Sequence, residues 1–447
     1  MSQRAAFNRN DLLDLQGPLD PALLGQAFAA LLARHESLRT TFEADGGADG
    51  PATGDRATTD GRGTGPATQT VHAPGALPLP FAVHDLRAEA EPATAARRFA
   101  EQRIREPFRT GTEPLVRADL LRTGPVDWSL LVSMHQLVSD GRTVEVLLRD
   151  WRALYEQLGG TLAGAGTTPV PLADPVQYKD AAGWRAERLT GDRLREHQDF
   201  WQGELAGASV IVPLPTDHPR PPVASLAGER VLLSVPDQLT EQVAVLAGRL
   251  GVTEFVVARC AVSLLLLAET GLTDITLGSY TRGRGRQALE DGVGFFAHTV
   301  PLRLRVLPDD DVRSLLTRAQ HDGLRALRHE EYPYGWTMRD LGWRRGPERA
   351  PLFDVLVALN EAAPTAEPAR LLPAFEPRQL PVRAKEADLQ FAFWRSPGRL
   401  RLSLTYATEL FSAERAERLL ARLLDVLRAL VADRPIVELL KQPGAGS

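Results

Sequence analysis

The chain has 447 residues, of which 43% are hydrophobic, so it is long enough for two large lobes or for two to three ordinary domains with their own cores. Its formal net charge of -5 gives no global reason to expect nucleic acid or an anionic membrane as a partner. The single cysteine, Cys260, excludes an intramolecular disulfide and a cysteine-rich metal site, and we expect no bound metal.

The first residues contain no apolar segment typical of a signal peptide. The longest apolar stretch, residues 256–268, contains Arg259 and is too short to cross a bilayer of about 30 Å. We therefore expect a soluble, cytoplasmic protein with no membrane partner.

Residues 20–42 predict a helix followed by a strand. Asp20 and Pro21 are typical of an N-cap and a first helical turn, and apolar residues then recur at helical spacing. From residue 44 to about residue 80 the chain is dominated by Gly, Ala, Thr, Pro and Asp, which cannot bury a core. This stretch predicts a disordered surface insertion, and a helix is predicted after it at residues 91–105.

A buried strand ending at Met134 leads to the strongest helical pattern in the chain, which begins after Gly141. Residues 130–132 are continuously apolar, as in a strand covered on both faces, and the apolar residues after Gly141 fall on one helical stripe. The connection reads His135-Gln136-Leu137-Val138-Ser139-Asp140-Gly141. At a helix entrance, unpaired N–H groups and the positive end of the helix dipole favour a developing oxyanion.

A Gly- and Pro-rich stretch at residues 159–175 predicts the boundary between an N-terminal lobe, residues 1–170, and a C-terminal lobe, residues 171–447. In the second lobe the patterns predict helices at 239–250, 254–268, 312–329 and 412–432, a loop at 362–381, and strands at 274–277, 299–306, 352–359, 389–394 and 400–406. Irregular alternation of this kind indicates an α+β protein with mixed sheets and helices on their faces.

Seven segments resemble, in the same order, the sequence motifs of the condensation domains of nonribosomal peptide synthetases. The segment at residues 135–141 is similar to the motif His-His-x-x-x-Asp-Gly, and we call it the signature loop. The other six segments are residues 34–42, 177–184, 200–201 with 214–217, 293–299, 329–334 and 350–353. Together they cover nearly the whole chain.

The resemblance implies two lobes like chloramphenicol acetyltransferase, arranged as a V with a substrate tunnel between them. Donor and acceptor pantetheine arms would enter from opposite faces and meet at the signature loop, where family members form an amide or an ester from a thioester. No permanently bound cofactor is implied. The substrates would be linked to phosphopantetheine on a carrier protein, or to coenzyme A, and the partners would be carrier proteins or synthetase modules in trans.

Four departures lie at or near positions that the family uses. Gln136 replaces the second His of the signature, and a carboxamide cannot titrate as an imidazole does near neutrality. Ala358 falls on a strand position that is commonly Asn, and His298 replaces the usual Asn of the fifth motif. The first motif, with its N-terminal strand, is expected to be absent.

The resemblance also implies roles for single residues. His135 would support the loop by hydrogen bonds or transfer a proton, while Asp140 would form a structural ion pair with Arg284. The N–H of Gly141 would steady the substrate carbonyl, or the glycine would merely begin the helix. His298 would be either a substitute imidazole or a core residue.

The arginine-rich residues 282–286 resemble an RNA-binding tract out of context, but between two strands of a family motif they predict an ion-pairing segment and no nucleic-acid partner.

Two functions stay open at this point. The first is an acyltransferase, a free-standing condensation enzyme that acts on carrier-bound acyl groups, with coenzyme A as an alternative donor. The second is a catalytically silent condensation-like domain that docks a carrier protein or recruits a tailoring enzyme. Gln136 and Ala358 favour the second function, whereas the Asp140-Gly141 pair and the full set of motifs favour the first.

Overall fold

A computed structural model of the chain describes residues 8–44, 67–160, 171–225, 227–350, 352–361 and 387–436. The helices in these ranges are α1 (Pro21–Arg34), α2 (Pro92–Arg103), α3 (Gly141–Gln157), α4 (Tyr178–Arg188), α5 (Gly191–Glu204), α6 (Asp237–Leu250), α7 (Glu254–Thr270), α8 (Val312–Arg328), α9 (Tyr334–Asp340) and α10 (Ala413–Val431). The strands are β1 (Asn8–Gln16), β2 (Thr40–Ala44), β3 (Ala67–Val71), β4 (Phe81–Asp85), β5 (Val116–Arg122), β6 (Asp127–His135), β7 (Gly228–Ser234), β8 (Asp274–Thr281), β9 (His298–Arg305), β10 (Val355–Glu361), β11 (Leu389–Ser396) and β12 (Arg399–Ala407).

The first part of the chain builds a four-stranded sheet in the order β1-β6-β5-β4. β6 pairs antiparallel with both β1 and β5, and β4 runs parallel to β5. Every residue of β6 except the two at its ends is buried, as its continuous apolar sequence predicted. α1 and α3 pack on this sheet, and Asp20 caps α1 by accepting hydrogen bonds from the N–H groups of Ala22 and Leu23.

Two predictions for this part of the chain are wrong. The N-terminal strand is present, because β1 pairs with β6 along its whole length. It escaped the sequence pattern because Asp11 and Asp14 interrupt its apolar residues, which an edge strand tolerates. The predicted insertion at 44–80 contains β3, which forms a ladder with β2. The side chains of Thr68, Gln69 and Thr70 are exposed, so composition gave no sign of this strand, and residues 45–66 lie outside the described residues.

The second part builds a six-stranded sheet in the order β7-β12-β11-β10-β8-β9. β10 runs parallel to β8 and β11, while the other pairs are antiparallel. The sheet is therefore mixed, which confirms the α+β prediction. The predicted helices and strands of this part are present with ends shifted by a few residues, and the predicted loop at 362–381 lies outside the described residues.

The helix α7 lies in the core of this second part, among α6, α8, α10 and the sheet. Its residues from Val256 to Leu267 are all buried, and burial raises the pKa of the Cys260 thiol to about 11, so this thiol is unreactive. In the described ranges no single helix is long and apolar enough to cross a membrane. α6 and α7 together meet that length and composition, but they are bent by 108°.

A segment between β8 and β9, residues 282–297, joins the two parts of the structure, and we call it the bridging segment. The Thr143 hydroxyl at the start of α3 donates to the carbonyl of Gly294 at 2.7 Å and accepts from its N–H at 3.1 Å. Ser37 donates to the carbonyl of Val293 at 2.6 Å. A Cβ atom at Gly294 would lie 2.5 Å from the ring of Tyr178, so only glycine fits between α3 and α4 here.

Candidate functional site

The signature loop connects β6 to α3 and contains a short 3-10 helix, Gln136–Val138. The Nδ1 atom of His135 accepts a hydrogen bond from the N–H of Leu137 at 3.2 Å, and Ser139 Oγ donates to the His135 carbonyl at 3.0 Å. Because Nδ1 is an acceptor, the neutral imidazole has its proton on Nε2. In that state Nε2 cannot take a proton from a nucleophile, and the ring holds the loop in shape.

Asp140 is the most heavily bonded residue of the loop. Its Oδ1 atom accepts from the Thr143 N–H at 2.8 Å, which caps α3, and its Oδ2 atom accepts from the Phe296 N–H at 3.0 Å. Arg284 Nη1 and Nη2 donate to Oδ2 and Oδ1 at 2.7 and 3.0 Å. The ion pair expected between Asp140 and Arg284 is thus present in a two-pronged geometry, with 4% and 1% of the side chains exposed.

Arg284 is held from a second side by the bridging segment. Its guanidinium lies 4.3 Å from the ring centroid of Phe296, and its Nη2 also donates to the carbonyl of Gly292 at 3.3 Å. These contacts hold the guanidinium of Arg284 in the position in which it pairs with Asp140.

Gly141 begins α3 beside open space, since a Cβ atom added there would meet no heavy atom within 4 Å. The first N–H groups of a helix have no intrahelical partner. Asp140 occupies the N–H of Thr143, and Gly141 lies at the positive end of the α3 dipole. A carbonyl oxygen that gains negative charge would be stabilised at this position.

The loop also forms one wall of a shallow surface recess that has room for about one water molecule. Leu137 and Val138 line it from the loop, Phe42 and Val71 from the β2–β3 hairpin, and Tyr178 from α4. Polar residues, including Glu36, Gln69 and Lys179, also line it, so the recess is not an apolar pocket.

His298 is the first residue of β9, opposite Thr281 of β8. Burial lowers its pKa to about 4, and the positive charge of Arg185 acts in the same direction. No hydrogen bond between His298 and the signature loop is formed among the described residues. The side chain of His298 is therefore neutral at pH 7 and a weak base. Of the residues just before β9, it is Phe296 that contacts the signature loop, through Asp140.

Ala358 and a pair of histidines belong to the second part of the structure. Ala358 sits in β10 opposite Ala392 of β11 and is half-buried. The Nδ1 atoms of His329 and His197 share a hydrogen bond of 2.9 Å, and His329 stacks on Phe200. Burial lowers the pKa of His329, and the charge of His197 acts in the same direction. In the parts of the chain that the structure describes, no three His, Cys, Asp or Glu side chains are grouped to hold a metal ion.

Sequence reasoning missed the residues that hold the loop from outside, namely Phe296 and Gly294, and Thr143, the partner of Gly294. Gly294 contacts Thr143 across 151 positions of sequence, and Phe296 contacts Asp140 across 156, and no local pattern signals such contacts. The only sign was that Phe296 and Gly294 lie within a family motif.

Comparison with known proteins shows the family of the chain. The sequence model of the Condensation domain family matches residues 1–435, and the chain therefore belongs to the condensation domain family. It is 32% identical over 434 residues to chondramide synthase of Chondromyces crocatus, which covers 96% of this chain and 10% of the relative. It is 30% identical over 434 residues to tyrocidine synthase 3 of Brevibacillus parabrevis, which covers 97% of this chain and 6% of the relative.

The chain thus spans no more than about a tenth of the length of these synthetases. Among solved structures, it is similar to the X-domain in its complex with OxyB from teicoplanin biosynthesis. The TM-score is 0.77 and the identity is 26%, over 99% of this chain and 95% of that one. The condensation-domain fold, with two lobes like chloramphenicol acetyltransferase, is therefore established.

We expect Asp140→Ala to lower the free energy of unfolding by about 3–5 kcal/mol, because it leaves the buried guanidinium of Arg284 unpaired. Urea denaturation measures this loss. Asp311→Ala is the matched control, since Asp311 also caps a helix but is exposed. The control should lose only the cap, about 0.5–2 kcal/mol. Equal losses in the two variants would show that the ion pair adds nothing.

We also expect stability to fall as the pH is lowered from about 6.5 towards 4. Burial lowers the pKa of His135 and of His298 to about 4, against about 6.5 in an unfolded chain. Between these values the unfolded state binds more protons, so the free energy of unfolding decreases with decreasing pH.

Urea denaturation at pH 7, 6 and 5 tests this dependence. His298→Asn should lose less stability than the unmodified protein over this range, whereas His321→Asn, which changes an exposed histidine, should lose as much. The expectation is wrong if His298→Asn shows the full loss.

Proposed function

We propose that this chain is a condensation-type acyltransferase that forms an amide or an ester from an acyl thioester borne by a carrier protein, with Gln136 in the place of the usual catalytic His. The observation that carries the proposal is the open helix start at Gly141, held by the four hydrogen bonds of Asp140. Holding the helix start in this way requires burial of a charge pair, which carries a desolvation penalty. The positive end of the helix suits the binding of a developing oxyanion.

In the proposed reaction the amine or alcohol attacks the thioester carbon, a C–N or C–O bond forms, and the C–S bond breaks to release the pantetheine thiol. The Gly141 N–H stabilises the negative charge on the carbonyl oxygen. Gln136 has two N–H donors and one acceptor with which it can orient the nucleophile. Orientation of two reactants alone can contribute about 7–11 kcal/mol in favourable intramolecular cases.

No protein base is required in this scheme. His135 has its Nε2 protonated and His298 has a pKa of about 4, so neither is suited to remove the nucleophile's proton at pH 7. The proton passes to water or to the departing thiolate, since an ordinary thiol has a pKa of about 8.5. The signature is therefore degenerate: Gln136 orients the nucleophile, but no residue of the loop acts as a general base.

The substrates implied by this function are phosphopantetheine-linked acyl groups. The family acts on carrier-bound substrates, and the synthetases that the chain resembles are much longer than it is. A carrier protein or synthetase module would supply the donor. Coenzyme A thioesters carry the same pantetheine arm and are the alternative donor.

A second function is recruitment of a tailoring enzyme. Its support is the similarity to the X-domain, which was solved bound to OxyB. Under this function Gln136 has no chemical task, and the Asp140–Arg284 pair serves only the stability of the two lobes.

Gln136 separates the two functions. If the chain is an acyltransferase, Gln136→His adds a general base and should raise the rate of product formation by up to about 10²–10⁴-fold. Single-turnover assays with one acyl-loaded carrier and a panel of amines and alcohols measure this rate.

Gln136→Ala is the matched variant, because it removes the carboxamide without adding a base, and it should be slower than the unmodified protein. If neither the unmodified protein nor Gln136→His forms product above the carrier-only background, the acyltransferase function is refuted. A lower rate for Gln136→His than for the unmodified protein would mean that the carboxamide itself is needed for the reaction.

Recruitment makes a different prediction. The immobilised chain should capture a synthetase or a tailoring enzyme from the lysate of the producing cell. The Gln136→His variant should capture the same proteins equally well, because docking does not involve the signature loop. Mass spectrometry identifies the captured proteins, and capture of neither class of enzyme counts against recruitment.

A further inference from the structure

The guanidinium groups of two arginines lie over the ring of one tryptophan on α4. The guanidinium carbon of Arg286, from the bridging segment, lies 3.8 Å from the ring centroid of Trp184, and that of Arg188 lies 4.5 Å from the same ring. Arg185, on the same helix, donates to the carbonyl of Gly283 at 3.4 Å. We call Trp184, Arg185, Arg188 and Arg286 the Trp184 cluster.

The cluster has no matching negative charge in contact with it. Among the described residues, no carboxylate lies within 4.0 Å of the guanidinium groups of Arg185, Arg188 or Arg286. The Nε of Arg188 is buried and has no hydrogen-bond partner in the same set of residues. The charge of Arg188 helps to lower the pKa of Glu331, but the Oε2 atom of Glu331 is paired with Arg193 Nη2 at 2.8 Å. Arg188 and Arg286 therefore carry positive charge that no carboxylate in contact among the described residues neutralises, and an anion would pair with it.

The cluster is fixed to the signature loop through the bridging segment. Arg284 binds Asp140, and Arg286, two residues further, reaches Trp184. Gly283 has a φ of +59°, and a Cβ atom there would overlap the carbonyl oxygen of Phe296, so the turn that directs these arginines requires glycine. An anion held by the cluster would thus have a defined position relative to the signature loop.

We infer that the Trp184 cluster binds the phosphate of the pantetheine arm that brings the acyl group to the signature loop. This inference rests on the proposed function. Stacking on an indole holds a guanidinium plane in place and leaves its N–H groups free for an oxyanion, and the planar fork of arginine matches phosphate geometry. The same phosphate occurs on a carrier protein and in coenzyme A, and the cluster recognises the group common to both.

The test uses the full chain labelled with 5-fluorotryptophan and observed by ¹⁹F NMR. The chain has seven tryptophans, and the signal lost in Trp184→Phe identifies Trp184. Phosphopantetheine should shift the Trp184 signal in a saturable way, whereas pantetheine, which lacks the phosphate, should not. Arg286→Gln and Arg188→Gln should each weaken phosphopantetheine binding about tenfold, as expected for loss of one charge-assisted contact. Arg418→Gln, an exposed change on α10, should leave binding unchanged.

Equal shifts with pantetheine and phosphopantetheine, or unchanged affinity in Arg286→Gln, would overturn the inference. A Kd for coenzyme A at least about tenfold lower than for phosphopantetheine would identify coenzyme A as the source of the phosphate, and equal affinities would identify the carrier-borne arm. Binding is measured without acyl transfer. A chain that binds phosphopantetheine but makes no product would therefore refute the acyltransferase and leave the phosphate site standing.

Discussion

The carboxylate of Asp140 is the point at which three parts of the structure meet. It caps α3, it holds the backbone of the bridging segment at Phe296, and it neutralises the buried Arg284. A buried carboxylate is costly unless its lone pairs and its charge are satisfied, and here four hydrogen bonds do so. The shape of the signature loop therefore depends on contacts made by the second part of the chain.

The bridging segment makes this dependence mutual. Thr143 exchanges two hydrogen bonds with Gly294, and Ser37 binds Val293, so the four-stranded and six-stranded sheets are joined beside the signature loop. The same segment carries Arg284 towards Asp140 and Arg286 towards Trp184. Any movement between the lobes would therefore shift the signature loop and the Trp184 cluster together.

The chemistry proposed for this site relies on position and charge and needs no titrating group. His135 supports the loop, His298 is kept neutral by burial, and Gln136 cannot titrate. What is left is a helix start with open space beside Gly141 and a carboxamide in the same loop. In the proposed reaction these features would serve an acyl transfer to a nucleophile that is already reactive.

The sequence by itself determined the family, the α+β class, most helices and strands, and the local part of the site. Asp140 as the cap of α3 and Gly141 at its start follow from neighbouring residues, because a helix start is a local structure. The ion pair with Arg284 came from the family resemblance. β1 and β3 were missed because their stability comes from backbone pairing with distant strands, which leaves little trace in the apolar pattern.

Only the tertiary structure decided how the loop is held and which groups are charged. Phe296 and Gly294 reach their partners across 156 and 151 positions of sequence, and the pKa values of His135 and His298 are set by burial that the sequence does not reveal. The meeting of arginines at Trp184 likewise joins residues of α4 and the bridging segment. Long-range packing and desolvation depend on the whole fold, and a single sequence shows neither.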